Sequence, residues 1–343
     1  MAIGYRPVVK ITGKHEAIVN ERLIDWEHID AAGIESDRLH LTVDTRGLDG
    51  LPQRGAEIGL TVGYEDAGEL VDKGKFTISR VTPKLWPHQL LIVATAAPWR
   101  QDDPTQFRLR RSESYADTTL GELFRLLVRK HGFSPRVAPT LDAIPIEHVD
   151  QTDETDMGFL TRLASRYDAV TKPYNGLYVL ARRGQVKSIS GRALPAVTLS
   201  VPADNKPGEQ AFTRATMDDN ARVRFRGCRS TWWDGEAGKE CVVEVGEDAF
   251  KRLRQRYQNE AEAKLAAEGE LRKLDRERTR IRIECPGNPL LAAEGIVTLD
   301  DTWPAYVRGT YSIDKLRSSG SRRMGYRCEI EATWPEGRET ADE

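Results

Sequence analysis

His148-Val149-Asp150-Gln151-Thr152-Asp153-Glu154-Thr155-Asp156 runs into Met157-Gly158-Phe159-Leu160-Thr161-Arg162-Leu163-Ala164-Ser165-Arg166-Tyr167, then into Asp168-Ala169-Val170-Thr171-Lys172-Pro173. The reading of this stretch orders the rest of the chain. Asp153 has the chemistry of an N-cap, a carboxylate for the free N–H groups of a first helical turn. Asp156 stands where a capping box places its second member. The acids collect at the positive end of the helix dipole. Phe159, Leu160, Leu163, Ala164 and Tyr167 recur at helical spacing and make one apolar face, while Arg162 and Arg166 share another. After Asp168 the pattern becomes a hairpin, residues 169–174 and 177–180, turning at Asn175-Gly176.

A second helix is expected just upstream. Thr119-Leu120-Gly121-Glu122 is a capping box. Leu120, Leu123, Phe124, Leu127, Val128 and His131 then lie on one face, and Gly132 closes the helix. His131 is read as a partner of the helix C-terminus or a residue at the edge of the core. Two helices and a hairpin make a small α+β unit over residues 101–184.

The flanks read as β. Val8, Val9 and Ile11 open a strand that turns at Gly13-Lys14. Residues 39–43, 58–64, 76–81 and 90–95 alternate or run apolar with polar turns between them, the pattern of a small antiparallel barrel or sandwich. Residues 98–116 are polar, with Arg108, Arg110 and Arg111, and read as a connector or as a loop contacting phosphate or another subunit. Downstream, residues 193–201 hold room for one strand. Arg222, Arg224 and Arg226 would line the outer face of another, with Trp232-Trp233 in the loop after it and a strand at 241–245. Residues 248–274 read as the longest helix, with Phe250, Leu253, Tyr257, Ala261 and Leu265 as a narrow apolar stripe and Gly269 weakening it by ~1 kcal/mol. Ile281, Ile283 and Cys285 alternate, and residues 306–316 and 325–334 form long paired strands.

Composition narrows the function classes. The 343 residues suffice for two or three cores. A net charge of −2 with 30% charged residues argues against a general nucleic-acid or membrane binder. Cys228, Cys241, Cys285 and Cys328 form no C-x-x-C pair and read as small buried hydrophobes of a reducing cytoplasm. Residues 1–7 hold no apolar run, so no secretory signal is expected, and the apolar run at 90–97 is too short to span a bilayer. No nucleophile elbow, P-loop, H-E-x-x-H or EF-hand loop occurs. The one dense acidic cluster, Asp150, Asp153, Glu154 and Asp156, has the chemistry to hold a divalent cation or to split pKa values for acid–base work. A helix N-terminus that favours anions accounts for the same residues without a ligand. Arg272, Lys273, Arg276, Arg278, Arg280 and Arg282 make the only stretch that suggests nucleic acid, and a solvated face with strand-edge arginines accounts for them as well.

The motifs also support a resemblance. The order D-Q-T-x-E-x-D (residues 150–156), F-L-x-R-L-A-x-x-Y (159–167) and A-V-x-K-P (169–173) closely resembles the late control protein D family of contractile-tailed phages. These tail hub proteins are related to the hub portion of VgrG spikes. L-P-x-x-G at 51–55, V-G-Y at 62–64, G-x-F-x-I at 74–78, H-G-F-S-P at 131–135, G-N-P-L-L-A-A-E at 287–294 and G-Y-x-C-x-I-E at 325–331 follow in the family's order. The resemblance implies two tube-like antiparallel β-barrel domains, 1–100 and 185–335, flanking the insert, with 336–343 as a polar tail. It implies a homotrimeric baseplate hub of a phage or phage-tail-like bacteriocin, joining a six-fold tail tube to a three-fold spike. Implied partners are the trimeric tail spike protein, tail tube protein, tape-measure protein and other baseplate subunits, with no membrane in the resting particle, no specific nucleic acid and no cofactor. The chain would be assembled in the bacterial cytoplasm and released in the particle. Asp150, Gln151, Thr152, Asp153, Glu154, Asp156, Phe159, Leu160, Arg162 and Leu163 would be framework of the insert, with no catalytic role. The competing reading is a peptidoglycan-degrading tail enzyme that uses the 150–156 carboxylates.

Overall fold

Alternating apolar and polar residues account for most of what the computed structural model contains, which is β-structure. It describes residues 6–32, 36–48, 50–67, 70–96, 106, 109–174, 176–183, 196–219, 225–321 and 325–334. The first β segment holds β1 (Pro7–Gly13), α1 (Glu16–Arg22), β2 (Leu23–Ala31), β3 (Arg38–Asp44), β4 (Glu57–Tyr64), β5 (Leu70–Lys84) and β6 (Gln89–Thr95). The insert follows: β7 (Arg110–Thr119), α2 (Leu120–Lys130), β8 (Ser134–Val137), α3 (Pro139–Asp142), β9 (Pro145–Thr155), α4 (Asp156–Ser165), β10 (Ala169–Tyr174) and β11 (Leu177–Arg182). The second β segment holds β12 (Val197–Leu199), β13 (Arg214–Asp219), β14 (Gly227–Asp234), β15 (Lys239–Gly246), β16 (Phe250–Tyr257), α5 (Glu260–Arg278), β17 (Thr279–Pro286), β18 (Ile296–Leu299), β19 (Gly309–Ser321) and β20 (Gly325–Thr333).

The two β segments meet in one sheet. Its main path runs β1-β4-β5-β6-β3-β2-β19-β20-β17-β13, with β18 joining β19 and carrying β12. The seam is the antiparallel pair β2–β19, from Lys315 opposite Ala31 to Ser321 opposite Asp25. Residues far apart in sequence share one apolar cluster, from Ile11, Leu39 and Phe76 to Tyr311, Ile330 and Ala332. The sheet also folds over that cluster: the Tyr64 hydroxyl donates to the Gly287 carbonyl at 2.7 Å, and Lys73 Nζ to the Pro289 and Leu291 carbonyls at 2.7 and 2.8 Å.

The insert has its own core of α2, α4 and the hairpin, with Phe124, Leu127, Phe159, Leu160 and Leu180 buried in it. The capping box at Thr119 forms on both sides, and Gly132 takes φ +78°. The hairpin pairs β10 with β11 as the Asn-Gly signal predicts, and β8 adds in parallel.

Several expectations need correction. The helix expected over 248–274 is two elements: 250–257 is strand β16, and the helix is capped by Asn259 and spans Glu260–Arg278. Trp232 and Trp233 lie within β14 and not in a loop. The polar segment 98–116 ends as a strand, since β7 pairs with β9. Neither α1 nor β2 follows from the patterns above. The expected strand carrying Arg222 and Arg224 lies outside the described residues.

Candidate functional site

The 148–173 stretch sits where the insert meets both β segments. The first turn of α4 is ordered by side chains from three elements. Thr155, and not Asp153, is the N-cap: its side chain accepts the Gly158 N–H at 3.0 Å. Asp153 stands at φ +49°, next to the irregular pairing of β7 with β9, and its carboxylate goes outward to Arg110 at 3.0 Å. Asp156 does not reach back as in a capping box. It is fully buried and turns inward: His131 Nε2 lies 2.9 Å from Oδ2, Gln151 Nε2 donates to Oδ1 at 2.9 Å, and Arg111 completes the set. Burial pushes its pKa up, but the bonds from His131 and Gln151 and the charge of Arg111 outweigh it and hold the carboxyl at about 2.

The other acids are engaged separately. Glu154 accepts three bonds from Arg162 at 2.7–3.1 Å, and this bonding holds its pKa below the usual range. Arg162 also donates to the Asp150 carbonyl at 2.8 Å, and its guanidinium lies 5.2 Å from the Phe159 ring centroid. The Asp150 carboxylate accepts from Ser114 at 2.6 Å and faces His148 at 3.1 Å. Thr152 is exposed, and its N–H reaches Glu154 at 3.5 Å. Phe159, Leu160 and Leu163 face the insert core, with Phe159 stacked on Tyr115. The four carboxylates expected as a cluster therefore diverge to different partners. Among the described residues no group of three or more His, Cys, Asp or Glu is placed to hold a metal ion.

Downstream the stretch makes two joints. The first is with α5. Arg276 makes a two-pronged, almost fully buried pair with Asp168, and Arg166 meets Glu262 at 3.3 Å. Gly269 is what brings the helix this close, because a Cβ there would lie 2.9 Å from the Arg166 carbonyl oxygen. Gln258 and Asn259 extend the joint to the His148 carbonyl and Glu147, at 3.0 and 2.7 Å. The second joint is with the first β segment. Lys172 Nζ reaches Asp30 Oδ1 at 2.9 Å and Asp37 Oδ1 at 3.1 Å. Asp30 in turn accepts the Ala293 N–H at 2.8 Å, so this corner ties insert, first segment and second segment together. Burial opposes the charge on Lys172, but the two aspartates raise its pKa above the ordinary value. Burial also acts against charge on Asp30, where Lys172 wins and lowers the pKa; on Asp37, burial and the charge of Asp30 win and lift it to about 7.

The basic stretch expected at 272–282 disperses. Arg276 is buried, Arg278 lies 3.8 Å from Asp275, and Arg282 lies 3.7 Å from Glu331. The joints themselves were missed in the sequence. Gly269 was the available signal: a glycine inside a charged helix reads as a cost or as a close approach, and here it is the approach.

Known proteins are similar to this chain in sequence and in fold. The probable baseplate hub protein of Escherichia phage 186 is 35% identical over 182 residues, 53% of this chain and 46% of the relative. That of Escherichia phage P2 is 34% identical over 183 residues, with the same coverage. The chain thus spans about half the length of the curated relatives it matches. In fold it is similar to the 43 kDa tail protein of prophage MuSo2 from Shewanella oneidensis, with a TM-score of 0.65 at 13% identity, covering 96% of this chain and 98% of that one. It is also similar to the tail protein from Neisseria meningitidis MC58, with a TM-score of 0.66 at 14% identity, covering 96% and 97%. An E. coli component of the type VI secretion system gives a TM-score of 0.59 at 12% identity, covering 96% and 77%. A family model described as phage tail baseplate hub (GPD) matches residues 38–323, and the chain belongs to that family.

Proposed function

We propose that this chain is the structural hub of a contractile tail, in a phage or a phage-tail-like bacteriocin, and that three copies close into a ring between the tail tube and the spike. The observation that carries the reading is the single sheet. Two β segments from opposite ends of the chain lie side by side through β2–β19, with the insert fixed at the seam by Lys172. Two tube-like domains per chain, residues 1–100 and 185–335, would give six around a three-fold axis. A three-fold ring would then offer quasi-six-fold symmetry to the tube and three-fold symmetry to the spike. Partners under this reading are the tail tube protein, the trimeric spike, the tape-measure protein and neighbouring baseplate subunits. Assembly would take place in the bacterial cytoplasm. Asp150, Gln151, Thr152, Asp153, Glu154, Asp156, Phe159, Leu160, Arg162 and Leu163 act as framework: they fix the entry into α4 and so the geometry of both joints.

A glycosidase would need two carboxylates poised across a cleft. The 150–156 acids instead each face a separate base or hydroxyl, which favours the hub over the hydrolase. The test is the mass of the full chain, alone and co-expressed with its spike protein, by light scattering after gel filtration. A three-to-three complex is expected. A monomer that ignores the spike rejects the proposal, and clearing of cell walls that disappears in Glu154→Ala would install the enzyme in its place.

A further inference from the structure

The part of the second β segment that the joints do not use is the three-stranded sheet β15-β14-β16. Its inner face is covered: Trp232, Val243 and Leu253 pack with Tyr257, Ala263 and Ala266 against α5, and the Ser230 hydroxyl donates to the Ala263 carbonyl at 2.8 Å. Strand alternation therefore sends the other set of side chains outward. That face carries Arg229 and Trp233 from β14, Glu240, Val242 and Glu244 from β15, and Phe250, Arg252 and Arg256 from β16, with Arg254 exposed where the register of β16 shifts. Trp233 is 47% exposed and Val242 55%, a large apolar exposure for a face that nothing described here covers.

Two arginines on this face are already partnered, Arg229 with Glu244 and Arg256 with Glu240 at 3.3 Å. Arg229 also lies over the Phe250 ring and Arg256 over the Trp233 ring, at 5.3 and 5.8 Å. Arg252 and Arg254 are exposed, and four arginines against two glutamates leave the face positive. Among the described residues β16 pairs only with β14, so its outer edge presents an open ladder of backbone donors and acceptors.

Like charges along an edge repel a second copy of the same edge, which disfavours self-pairing. The same charges attract an edge of opposite sign. We propose that β16 and the outward face beside it dock an acidic, extended segment of a partner protein, added as a fourth strand. Backbone hydrogen bonds to β16 would supply affinity. Arg252 and Arg254 would select acidic side chains, and the half-buried Leu253 on the opposite face of β16 would receive the apolar ones that alternate with them. A nucleic acid is the poorer fit: its backbone has no use for the open ladder, and Glu240 and Glu244 repel phosphate.

The test uses the full chain and a fluorescent ten-residue peptide of alternating glutamate and valine, read by anisotropy. Binding is expected, with a loss of tenfold or more in the Arg252→Glu/Arg254→Glu variant and in a peptide N-methylated on alternate backbone nitrogens. Circular dichroism and an unchanged unfolding midpoint would show that the variant stays folded. No binding by the wild type overturns the proposal. So does equal binding by the charge-reversed variant or by the N-methylated peptide, and so does tighter binding of single-stranded oligothymidine at the same salt.

Discussion

The long sheet and the insert are held by different physics. The sheet's two segments share one apolar cluster, from Ile11 to Ala332, closed by the backbone ladder of β2–β19. The insert buries its own apolar cluster, and it meets the sheet and α5 through Arg276–Asp168, Arg166–Glu262 and Lys172–Asp30–Asp37. Apolar burial makes surfaces stick but tolerates several angles. A two-pronged guanidinium–carboxylate pair tolerates one. The difference suggests that the sheet is built for cohesion and the insert for a fixed orientation. The largest break would come from Arg276→Ala, which strands the buried Asp168 carboxylate. Removing one partner of such a pair costs about 3–5 kcal/mol, and a fall of that size in a urea unfolding series is expected. Arg276→Met combined with Asp168→Asn removes both charges and should recover most of the loss, because Asn tolerates the φ of +53° at that position. If the double variant is as weak as the single one, the pair is not what fixes this joint.

Lys172→Met attacks the other joint and should cost somewhat less, about 2–4 kcal/mol. The reason is that Asp37 already takes up a proton near neutral pH and can shed its charge when Lys172 is gone. Proteolysis and hydrogen exchange should then show β10 and β11 loosening while β3 and β6 stay protected. Uniform loss of protection would mean that insert and sheet are one cooperative unit and the comparison is wrong.

Gly269→Ala sharpens the same contrast from the backbone side. In an exposed helix this change stabilises by about 0.5–1 kcal/mol. Here the new Cβ would lie 2.9 Å from a backbone oxygen, so the sign should reverse, to a loss of about 1–3 kcal/mol. A raised melting midpoint would show that α5 can back away from α4 freely.

These sites also mark where the sequence was legible. Local signals were read correctly where they determine structure by themselves: the Thr119 capping box, the β10–β11 hairpin, and the alternation of Ile281, Ile283 and Cys285. Failures occur where a distant partner decides. In β2 the polar residues Asp25, Glu27 and Asp30 hide the strand, and Asp30 is tolerated inside only because Lys172, 142 positions away, neutralises it. In α1 the N-cap is His15 in a left-handed conformation with no side-chain cap, so no start signal exists. Phe250, Leu253 and Tyr257 fit a helical step, although in the strand only Leu253 and Tyr257 turn toward α5, and the true helix start lay in Asn259-Glu260-Ala261-Glu262, where the Asn259 side chain accepts the Glu262 N–H at 2.8 Å. Among the acids, identity was legible and direction was not: Asp156 goes in and Asp153 goes out.

The smallest effect is expected in the wild type's response to pH, because two groups beside the Lys172 joint oppose each other. His28 is buried against Phe76, neither ring nitrogen has a hydrogen-bond partner among the described residues, and Lys73 and Lys172 add to the burial that pushes its pKa from 6.5 down to about 4, against the pull of Asp30. Between those values the unfolded chain takes a proton that the folded chain refuses, so His28 removes stability as pH falls through that window. Asp37 does the reverse. Its folded pKa lies at about 7, above the ordinary carboxylate value, so between about 7 and 4 the folded chain keeps a proton that the unfolded chain releases, and stability rises as pH falls. Asp30 and Asp156 have lowered pKa values and act only below this window. Each opposing slope is at most about 1.4 kcal/mol per pH unit. Urea midpoints of Asp37→Asn should therefore fall, relative to wild type, from pH 7 to pH 4.5, and those of His28→Phe should rise. Parallel curves for all three proteins would mean that the apolar sheet, and not the charged joint, governs even this corner of the molecule.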